Sequence, residues 1–195
     1  MYILVTGAAG YIGQCLEKII KNKNVILLDK KKINYKTNKK FLQINLLNKK
    51  KLSNLFQKEK IHTIIHLAGE SLVNEKKSYN LYYKNNIKVL KNILWVMKKN
   101  KTQNLIFSST ASVYRFNYKP VTEKNKLDPK SKYAKTKLEC EKLIKNSDIR
   151  YIILRFFNVA SSLPAQFRGE NHSPETHLIP LFIKKIIKGE VLNIY

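Results

Sequence analysis

A glycine-rich turn between an apolar segment and an amphipathic segment is the feature that most constrains the fold of this chain. Three of the six glycines lie within seven residues, at Gly7, Gly10 and Gly13. The apolar segment before them, residues 2–5, predicts a strand, and apolar positions after them recur at helical spacing. Such a turn presents the first backbone N–H groups of a helix, and the positive end of its dipole, to a pyrophosphate. The pattern therefore predicts a dinucleotide-binding strand–turn–helix unit.

A second buried strand and an acidic residue follow the turn. Residues 24–28 predict the strand, and Asp29 stands at its end, near the expected spacing of about 20 residues. A carboxylate at this position accepts hydrogen bonds from a ribose 2′-hydroxyl and repels a 2′-phosphate, so the sequence favours NAD over NADP. The lysines at positions 30–32 weaken that preference, and the alternative role for Asp29 is a cap at the strand end.

Strand and helix patterns alternate along the rest of the chain. The predicted elements are strands at residues 41–44, 63–67, 104–107 and 151–154, a helix capped by Asn48, and helices over residues 81–99 and 131–146. This alternation predicts an α/β fold, a Rossmann-type doubly wound parallel sheet with helices on both faces. Because such sheets bind ligands beyond the carboxyl ends of their strands, we expect the functional site there.

Positive charge is spread over the whole chain. The 38 Lys and Arg residues against 13 Asp and Glu give a formal net charge of +25, which raises the hypothesis of a nucleic-acid-binding protein. The lysines are interleaved with Asn, Ile and Tyr and form no single basic arm or aromatic-lined groove. We therefore predict no specific nucleic-acid partner, and only weak, salt-sensitive binding to RNA or anionic lipid.

The cysteines and the apolar segments bear on the compartment. Cys15 and Cys140 are the only cysteines, and both lie on apolar faces of predicted helices, which favours small core residues over a disulfide or a metal site. The first residues lack the basic region of a signal peptide, and no segment approaches the roughly 20 apolar residues of a membrane span. We predict a reduced, cytoplasmic protein with no metal site and no membrane partner.

A tyrosine and a lysine one helical turn apart are the candidate catalytic pair. Tyr133 and Lys137 share one face of a predicted helix, and a fixed ammonium favours the phenolate form of a neighbouring tyrosine. The Ser-Ser-Thr end of the strand that precedes them, residues 108–110, offers a hydroxyl that can hold the oxygen that loses its proton. Tyr35 and Lys39 repeat the spacing, and we interpret that second pair as part of a solvated loop.

These features, together with four longer motifs, carry a resemblance. The motifs lie at residues 82–86, 107–114, 155–158 and 172–180. On them the chain resembles the extended short-chain dehydrogenase/reductase family, the NAD-dependent epimerases and dehydratases, from residue 2 to residue 195. Within that family it is similar to the nucleotide-sugar 4-epimerases. Dehydratases of the family carry an Asp-Glu pair directly after the threonine, whereas this chain has Ala111 and Ser112, which argues against dehydration.

The resemblance implies NAD as cofactor and UDP-glucose and UDP-galactose as the substrates that are interconverted. Tyr133 would take a proton from the sugar 4-hydroxyl while a hydride passes from C4 to NAD⁺, and the rotated 4-keto sugar would take the hydride back on its other face. Lys137 would tune Tyr133 and hold the nicotinamide ribose, and Thr110 would bind the reacting oxygen. These three residues are the implied catalytic set.

The resemblance also implies the residues that bind cofactor and substrate. The cofactor residues would be Gly7, Gly10, Tyr11, Ile12, Gly13, Asp29, Asn45, Leu46, Leu67, Ala68, Gly69, Asn85, Lys137 and Phe157. The substrate residues would be Thr110, Tyr133, Asn158, His177 and Leu178.

The chain departs from the family pattern at several positions and at its end. Asn45 replaces an aspartate that faces adenine, Ser71 replaces a lysine, and Lys132 replaces the proline before Tyr133. The family continues further, so we expect residues 1–177 to form the NAD-binding Rossmann domain. Residues 178–195 would begin a substrate domain that is largely absent, which leaves the apolar side chains of residues 178–187 exposed.

These departures leave alternatives open. One is a catalytically degenerate NAD-binding fragment without turnover. Another is a further nucleotide-sugar epimerase of the same family. A homodimer is left open as the assembly.

Overall fold

A six-stranded, all-parallel sheet organises the structure, a computed structural model that describes residues 1–21, 24–72, 76–163, 168–169 and 178–191. The strand order is β3-β2-β1-β4-β5-β6. The strands are β1 Tyr2–Thr6, β2 Val25–Asp29, β3 Lys40–Gln43, β4 Ile61–His66, β5 Asn104–Thr110 and β6 Arg150–Phe156. A separate antiparallel pair joins β7 Ser162–Leu163 to β8 Arg168–Gly169. The predicted doubly wound α/β fold is confirmed.

The helices are α1 Tyr11–Ile19, α2 Lys49–Lys58, α3 Tyr79–Tyr82, α4 Val89–Lys99, α5 Lys132–Lys145 and α6 Leu178–Ile187. A π-helical turn, Tyr83–Lys88, joins α3 to α4, and a 3₁₀ turn, Ala111–Val113, follows β5. The predicted helix over residues 81–99 is therefore three segments that begin at Tyr79.

Side chains on the two faces of the sheet enter two apolar clusters. Leu4, Ile26 and Ile64 lie on one face and pack with buried residues of α2, α4 and α5. Val5 and Leu27, the next residues along β1 and β2, point to the opposite face and pack with residues of α1. This alternation along strands buried on both sides places helices on both faces, as predicted.

Polar caps begin two of the helices where the sequence predicts them. The Asn48 side chain accepts a hydrogen bond from the Lys51 N–H at 3.0 Å, which confirms Asn48 as the cap of α2. Ser131 accepts from the Ala134 N–H at 3.1 Å at the start of α5. Each cap satisfies an amide that has no partner within its helix.

The loop predicted around Tyr35 and Lys39 is present, but these two side chains are half-buried rather than solvated. Lys39 Nζ donates to the Glu17 carbonyl at 2.7 Å and lies 3.3 Å from Glu17 Oε1. The Tyr35 hydroxyl donates to the Ala8 carbonyl at 2.9 Å. Glu17 is buried on α1, and a buried carboxylate requires a counter-ion, so this segment is drawn onto α1 rather than left in solvent.

Both cysteines are free thiols, with Cys140 buried and Cys15 half-buried. Within the described ranges, no cluster of three or more His, Cys, Asp or Glu residues could hold a metal ion. None of the helices in the described part of the chain has the length and apolar character to cross a bilayer. Apolar side chains are exposed along α6, at Leu178, Leu181, Ile183, Ile186 and Ile187.

Candidate active site

A cavity of about 560 Å³ lies at the carboxyl ends of β1, β2, β4, β5 and β6. Every predicted site residue except His177 lines it, and His177 lies outside the described residues. The predicted lining residues are Gly7, Gly10, Tyr11, Ile12, Gly13, Asp29, Asn45, Leu46, Leu67, Ala68, Gly69, Asn85, Thr110, Tyr133, Lys137, Phe157, Asn158 and Leu178. Sequence reasoning did not assign site roles to others that line it, among them Ser108, Ser109, Lys30 and Ile179.

The glycine turn fits closely against its surroundings. Gly7 has φ of +79°, and a Cβ there would lie 2.6 Å from the Ala68 nitrogen. A Cβ on Gly13 would lie 2.2 Å from the Gly7 carbonyl oxygen. Across α1, all of which is described, the first turn holds no acidic residue, and Gly10 provides no side-chain cap. The positive end of this helix therefore faces the cavity and suits an anion.

Asp29 is held by the backbone on both sides. Its Oδ2 accepts a hydrogen bond from the Ala9 N–H at 3.0 Å, and its Oδ1 accepts from the Lys31 N–H at 2.9 Å. The alternative cap role is therefore present. Each carboxylate oxygen can accept a second hydrogen bond, so a ribose contact stays compatible with these bonds and remains a prediction.

The end of β4 is fixed by Asn86, a residue that sequence reasoning did not assign to the site. Asn86 is buried in the π-helical turn, and its Oδ1 accepts from the Glu70 N–H at 2.7 Å. Its Nδ2 donates to Thr136 Oγ1 on α5 at 3.1 Å. The neighbouring Asn85 lines the cavity. The sequence signal that could have identified this position is the pair of adjacent asparagines inside a predicted helix, because asparagine has a poor helix propensity.

The predicted catalytic residues meet at one end of the cavity. Tyr133 and Thr110 are hydrogen-bonded through their side chains. Lys137 Nζ donates to the Ser108 carbonyl at 2.6 Å. The same ammonium lies 4.7 Å from the centre of the Phe107 ring and 5.9 Å from the centre of the Tyr133 ring. The structure therefore brings the three side chains together, and their catalytic roles remain predictions.

The expected electrostatic effect of Lys137 on Tyr133 is not found. Burial raises the pKa of Tyr133 to about 12, and the hydrogen bond to Thr110 only partly opposes it. Burial lowers the pKa of Lys137 to about 8, against the effects of Cys140 and Glu141. Burial dominates because the ammonium is directed at the Ser108 carbonyl rather than at the phenol. Tyr133 is accordingly a neutral phenol at pH 7.

A buried histidine lies beneath this group. His66 Nδ1 and Thr6 Oγ1 are 2.7 Å apart, and the His66 carbonyl accepts from Ser108 Oγ at 3.0 Å. Burial, and then the charge of Lys137, lower the pKa of His66 to about 3. The imidazole is therefore neutral, and its contacts join the ends of β1, β4 and β5.

The segment after β6 closes the other side of the cavity. The Tyr11 hydroxyl donates to the Ser161 carbonyl at 2.7 Å and accepts from the Ser161 N–H at 2.5 Å. Phe157 and Asn158, which follow β6, also line the cavity, and Phe157 is 70% exposed. Following the strand order, the lining runs from Asp29 at the end of β2, through the glycine turn after β1, to the tyrosine–lysine pair beside the end of β5, and this donor set fits a dinucleotide.

The sequence profile described as the NAD dependent epimerase/dehydratase family matches residues 3–195. The chain belongs to this family. The membership that the motifs predicted is confirmed.

Curated relatives within the family share the sequence over most of this chain. The UDP-glucose 4-epimerase of Lactobacillus helveticus is 37% identical over 204 residues, covering 97% of this chain and 61% of the relative. The UDP-glucose 4-epimerase of Halalkalibacterium halodurans is 34% identical over 195 residues, covering 94% of this chain and 58% of the relative.

Solved structures of the family agree. A crystal structure of UDP-glucose 4-epimerase has a TM-score of 0.86 and 35% identity, covering 97% of this chain and 61% of that one. The Brucella ovis UDP-glucose 4-epimerase in complex with NAD has a TM-score of 0.82 and 28% identity, covering 92% of this chain and 59% of that one. The chain spans between 58% and 61% of the length of these four relatives.

Proposed function

We propose that this chain binds NAD and takes part in the interconversion of UDP-glucose and UDP-galactose through reversible oxidation at C4. The observation that carries the proposal is the meeting of Tyr133, Thr110 and Lys137 in a cavity that the glycine turn also lines. The activity of the similar UDP-glucose 4-epimerases supports it. Other nucleotide-sugar epimerases are the neighbouring alternatives, because a UDP-Glc/GlcNAc 4-epimerase has a similar structure.

The cofactor would lie along the cavity. The glycine turn would bind the pyrophosphate through the first amides of α1, and Asp29 would accept from the adenosine ribose. Asn45 and Leu46 would line the adenine end. NAD⁺, when bound, supplies a hydride acceptor and a positive charge.

Proton transfer would fall to Tyr133. Its phenol is the resting form, so the phenolate needs a positive charge in the cavity to become accessible near neutral pH. Thr110 would hold the sugar 4-oxygen while Tyr133 takes its proton, and Tyr133 would return the proton when the hydride returns. Lys137 would hold a ribose hydroxyl and stabilise the phenolate. Asn158, Leu178 and His177 would contact the nucleotide sugar.

The test combines cofactor binding with turnover. Purified protein is assayed for conversion of UDP-galactose to UDP-glucose and for thermal stabilisation by NAD. Tyr133→Phe is expected to lower kcat by about 10²–10⁴-fold and to keep the NAD stabilisation, since it removes one proton-transfer group. Tyr118→Phe is the matched control, because Tyr118 is 95% exposed.

Each outcome decides between hypotheses. Turnover that Tyr133→Phe leaves unchanged contradicts this mechanism. NAD stabilisation without turnover in the wild type supports the degenerate NAD-binding protein instead. The domain boundary after residue 177, the homodimer and the cytoplasmic location stay predictions.

A further inference from the structure

A buried ion pair lies directly behind the catalytic group. Glu141 of α5 is fully buried, and its Oε1 accepts from Ser109 Oγ at 2.5 Å and from Arg155 Nε at 3.0 Å. Its Oε2 accepts from Arg155 Nη2 at 2.7 Å. Arg155 comes from β6 and lies over the Tyr114 ring, 4.8 Å from its centre. A buried carboxylate with this many charged and polar partners has one well-defined geometry.

Glu141 continues the helix face that carries the catalytic pair. Tyr133, Lys137 and Glu141 occupy positions i, i+4 and i+8 of α5, one above another on the same face. Their partners on β5 are three consecutive residues: the Thr110 side chain, the Ser108 carbonyl and the Ser109 hydroxyl. The helix α5 therefore contacts the end of β5 through three side chains. Two of these involve the catalytic pair, and the third is Glu141, which does not itself line the cavity.

We propose that the Glu141–Arg155 pair is a positioning element that fixes the register of α5 on β5, so that Tyr133 and Lys137 face Thr110. This inference deepens the proposed epimerase function and rests on it. Glu141 acts through Ser109 and the helix, and it touches neither the cofactor nor the sugar. The pair also joins β6 to the catalytic group, because Arg155 lies on that strand.

The charge of Glu141 has a second effect, on Lys137. The described groups around the Lys137 ammonium are Tyr133, Cys140 and Glu141 on α5, His66 on β4 and the Phe107 ring on β5. Burial raises the pKa of the Cys140 thiol to about 12, and the imidazole is neutral. Among these described groups, Glu141 is the one carboxylate. It therefore opposes the lowering of the Lys137 pKa by burial.

The test is Glu141→Gln, which keeps the side-chain shape and removes its charge. The Lys137 ammonium is titrated by NMR of its Nζ and Cε signals, assigned by their loss in Lys137→Arg, and kcat is measured with UDP-galactose. We expect the Lys137 pKa to fall below that of the wild type, and kcat to fall about 10–100-fold with KM nearly unchanged, as for a misplaced catalytic group. Glu59→Gln is the matched control, because Glu59 pairs with Lys40 far from the cavity.

A conservative variant and a double variant keep the test decisive. Glu141→Asp retains the charge on a shorter side chain, so it should restore the Lys137 pKa while kcat stays low. If Glu141→Gln unfolds, Glu141→Met with Arg155→Met replaces the pair by apolar side chains that can fill the space. That double variant should fold with lowered kcat and a lowered Lys137 pKa.

The proposal is overturned if the Glu141 variants lose stability and nothing else. In that case a Glu141 variant that folds would have the same Lys137 pKa and the same kcat as the Glu59→Gln control. The NMR titration needs no turnover. A wild type that does not epimerise therefore removes the proposed function, while the titration still decides whether Glu141 sets the state of Lys137.

Discussion

The glycine-turn half of the cavity, formed by β1, β2, β4 and residues 7–13, is packed differently from the β6 half, formed by β6, residues 157–163 and α6. Leu4 and Val5 on β1 are fully buried, and backbone atoms of Gly7, Gly13 and Ala68 fix one another. On β6, by contrast, Ile152 is 56% exposed, and no residue of α6 is buried.

The difference indicates that cofactor binding and sugar binding, the two parts of the proposed function, have different structural requirements. The proposed phosphate site depends on close backbone contacts among Gly7, Gly13 and Ala68, which all lie within the described residues. The proposed sugar contacts depend on side chains that solvent reaches, such as Asn158 and Leu178. Cofactor binding and sugar turnover are therefore separable by experiment.

The greatest loss of stability is expected when an isoleucine of the glycine-turn half, rather than one of the β6 half, is replaced by alanine. Ile26→Ala on β2 should lower the free energy of unfolding by about 3–4 kcal/mol, because Ile26 is fully buried and a cavity remains. Ile152→Ala on β6 should lower it by less than about 1 kcal/mol, since that side chain already contacts water. Urea unfolding of both variants measures the difference, and equal losses would contradict the contrast between the halves.

The next largest loss of stability is expected from a substitution in the glycine turn. Gly13→Ala should cost about 2–3 kcal/mol and abolish stabilisation by NAD, because the new Cβ would collide with the Gly7 carbonyl oxygen. Gly189→Ala is the control. It has φ of +67° and nothing within 4 Å of a new Cβ, so backbone strain of about 1 kcal/mol is its only expected cost. Thermal unfolding with and without NAD checks both, and an intact NAD response in Gly13→Ala would refute the close fit.

Acid should weaken the glycine-turn half. His66 has a pKa of about 3 in the folded protein against 6.5 when unperturbed, so the unfolded chain binds the proton more readily between these values. Stability is therefore full above pH 6.5 and is lost as the pH falls, by about 2 kcal/mol from pH 7 to pH 5. Urea unfolding at both pH values should show this loss, and His66→Gln should reduce it. The control His62→Gln should retain it, and equal pH dependence in the two variants would reject the assignment to His66.

The smallest effect concerns the contact that joins the two halves. Tyr11→Phe removes the hydrogen bonds to Ser161 and should cost about 1 kcal/mol. Faster hydrogen exchange at residues 159–163, with no change in β1, is the expected signature. Tyr118→Phe should alter neither region. Unchanged exchange after the Tyr11 substitution would show that the segment is held by other contacts.

The sequence predicted the features that depend on local pattern. The turn at residues 7–13, the parallel sheet, the Asn48 cap and the approach of Tyr133 to the end of β5 follow from periodicity, turn residues and the rule that ligands lie beyond strand ends. Each of these needs only neighbouring residues or the order of the strands.

The features that the sequence missed depend on residues far apart in the chain. Lys39 is drawn to Glu17, and Arg155 to Glu141, by buried charges whose exposure no local pattern reveals. The π-helical turn at Tyr83–Lys88 needs a change in backbone hydrogen bonding within one apolar periodicity. The pKa of Tyr133 has the opposite direction to the prediction because burial, a tertiary property, exceeds the effect of a cation one helical turn away.

The close approach of Gly7 to Ala68 has a consequence for the order of folding. Thr6 directly precedes Gly7, and His66 lies two residues before Ala68. These two side chains meet although they are 60 positions apart in the chain, so the proposed pyrophosphate site forms only after β1 and β4 have paired. Contacts of such long sequence separation form late and slowly. A dinucleotide that recognises this site therefore acts on the native side of the kinetic barrier, slowing escape from the folded state and leaving the rate of its formation unaltered.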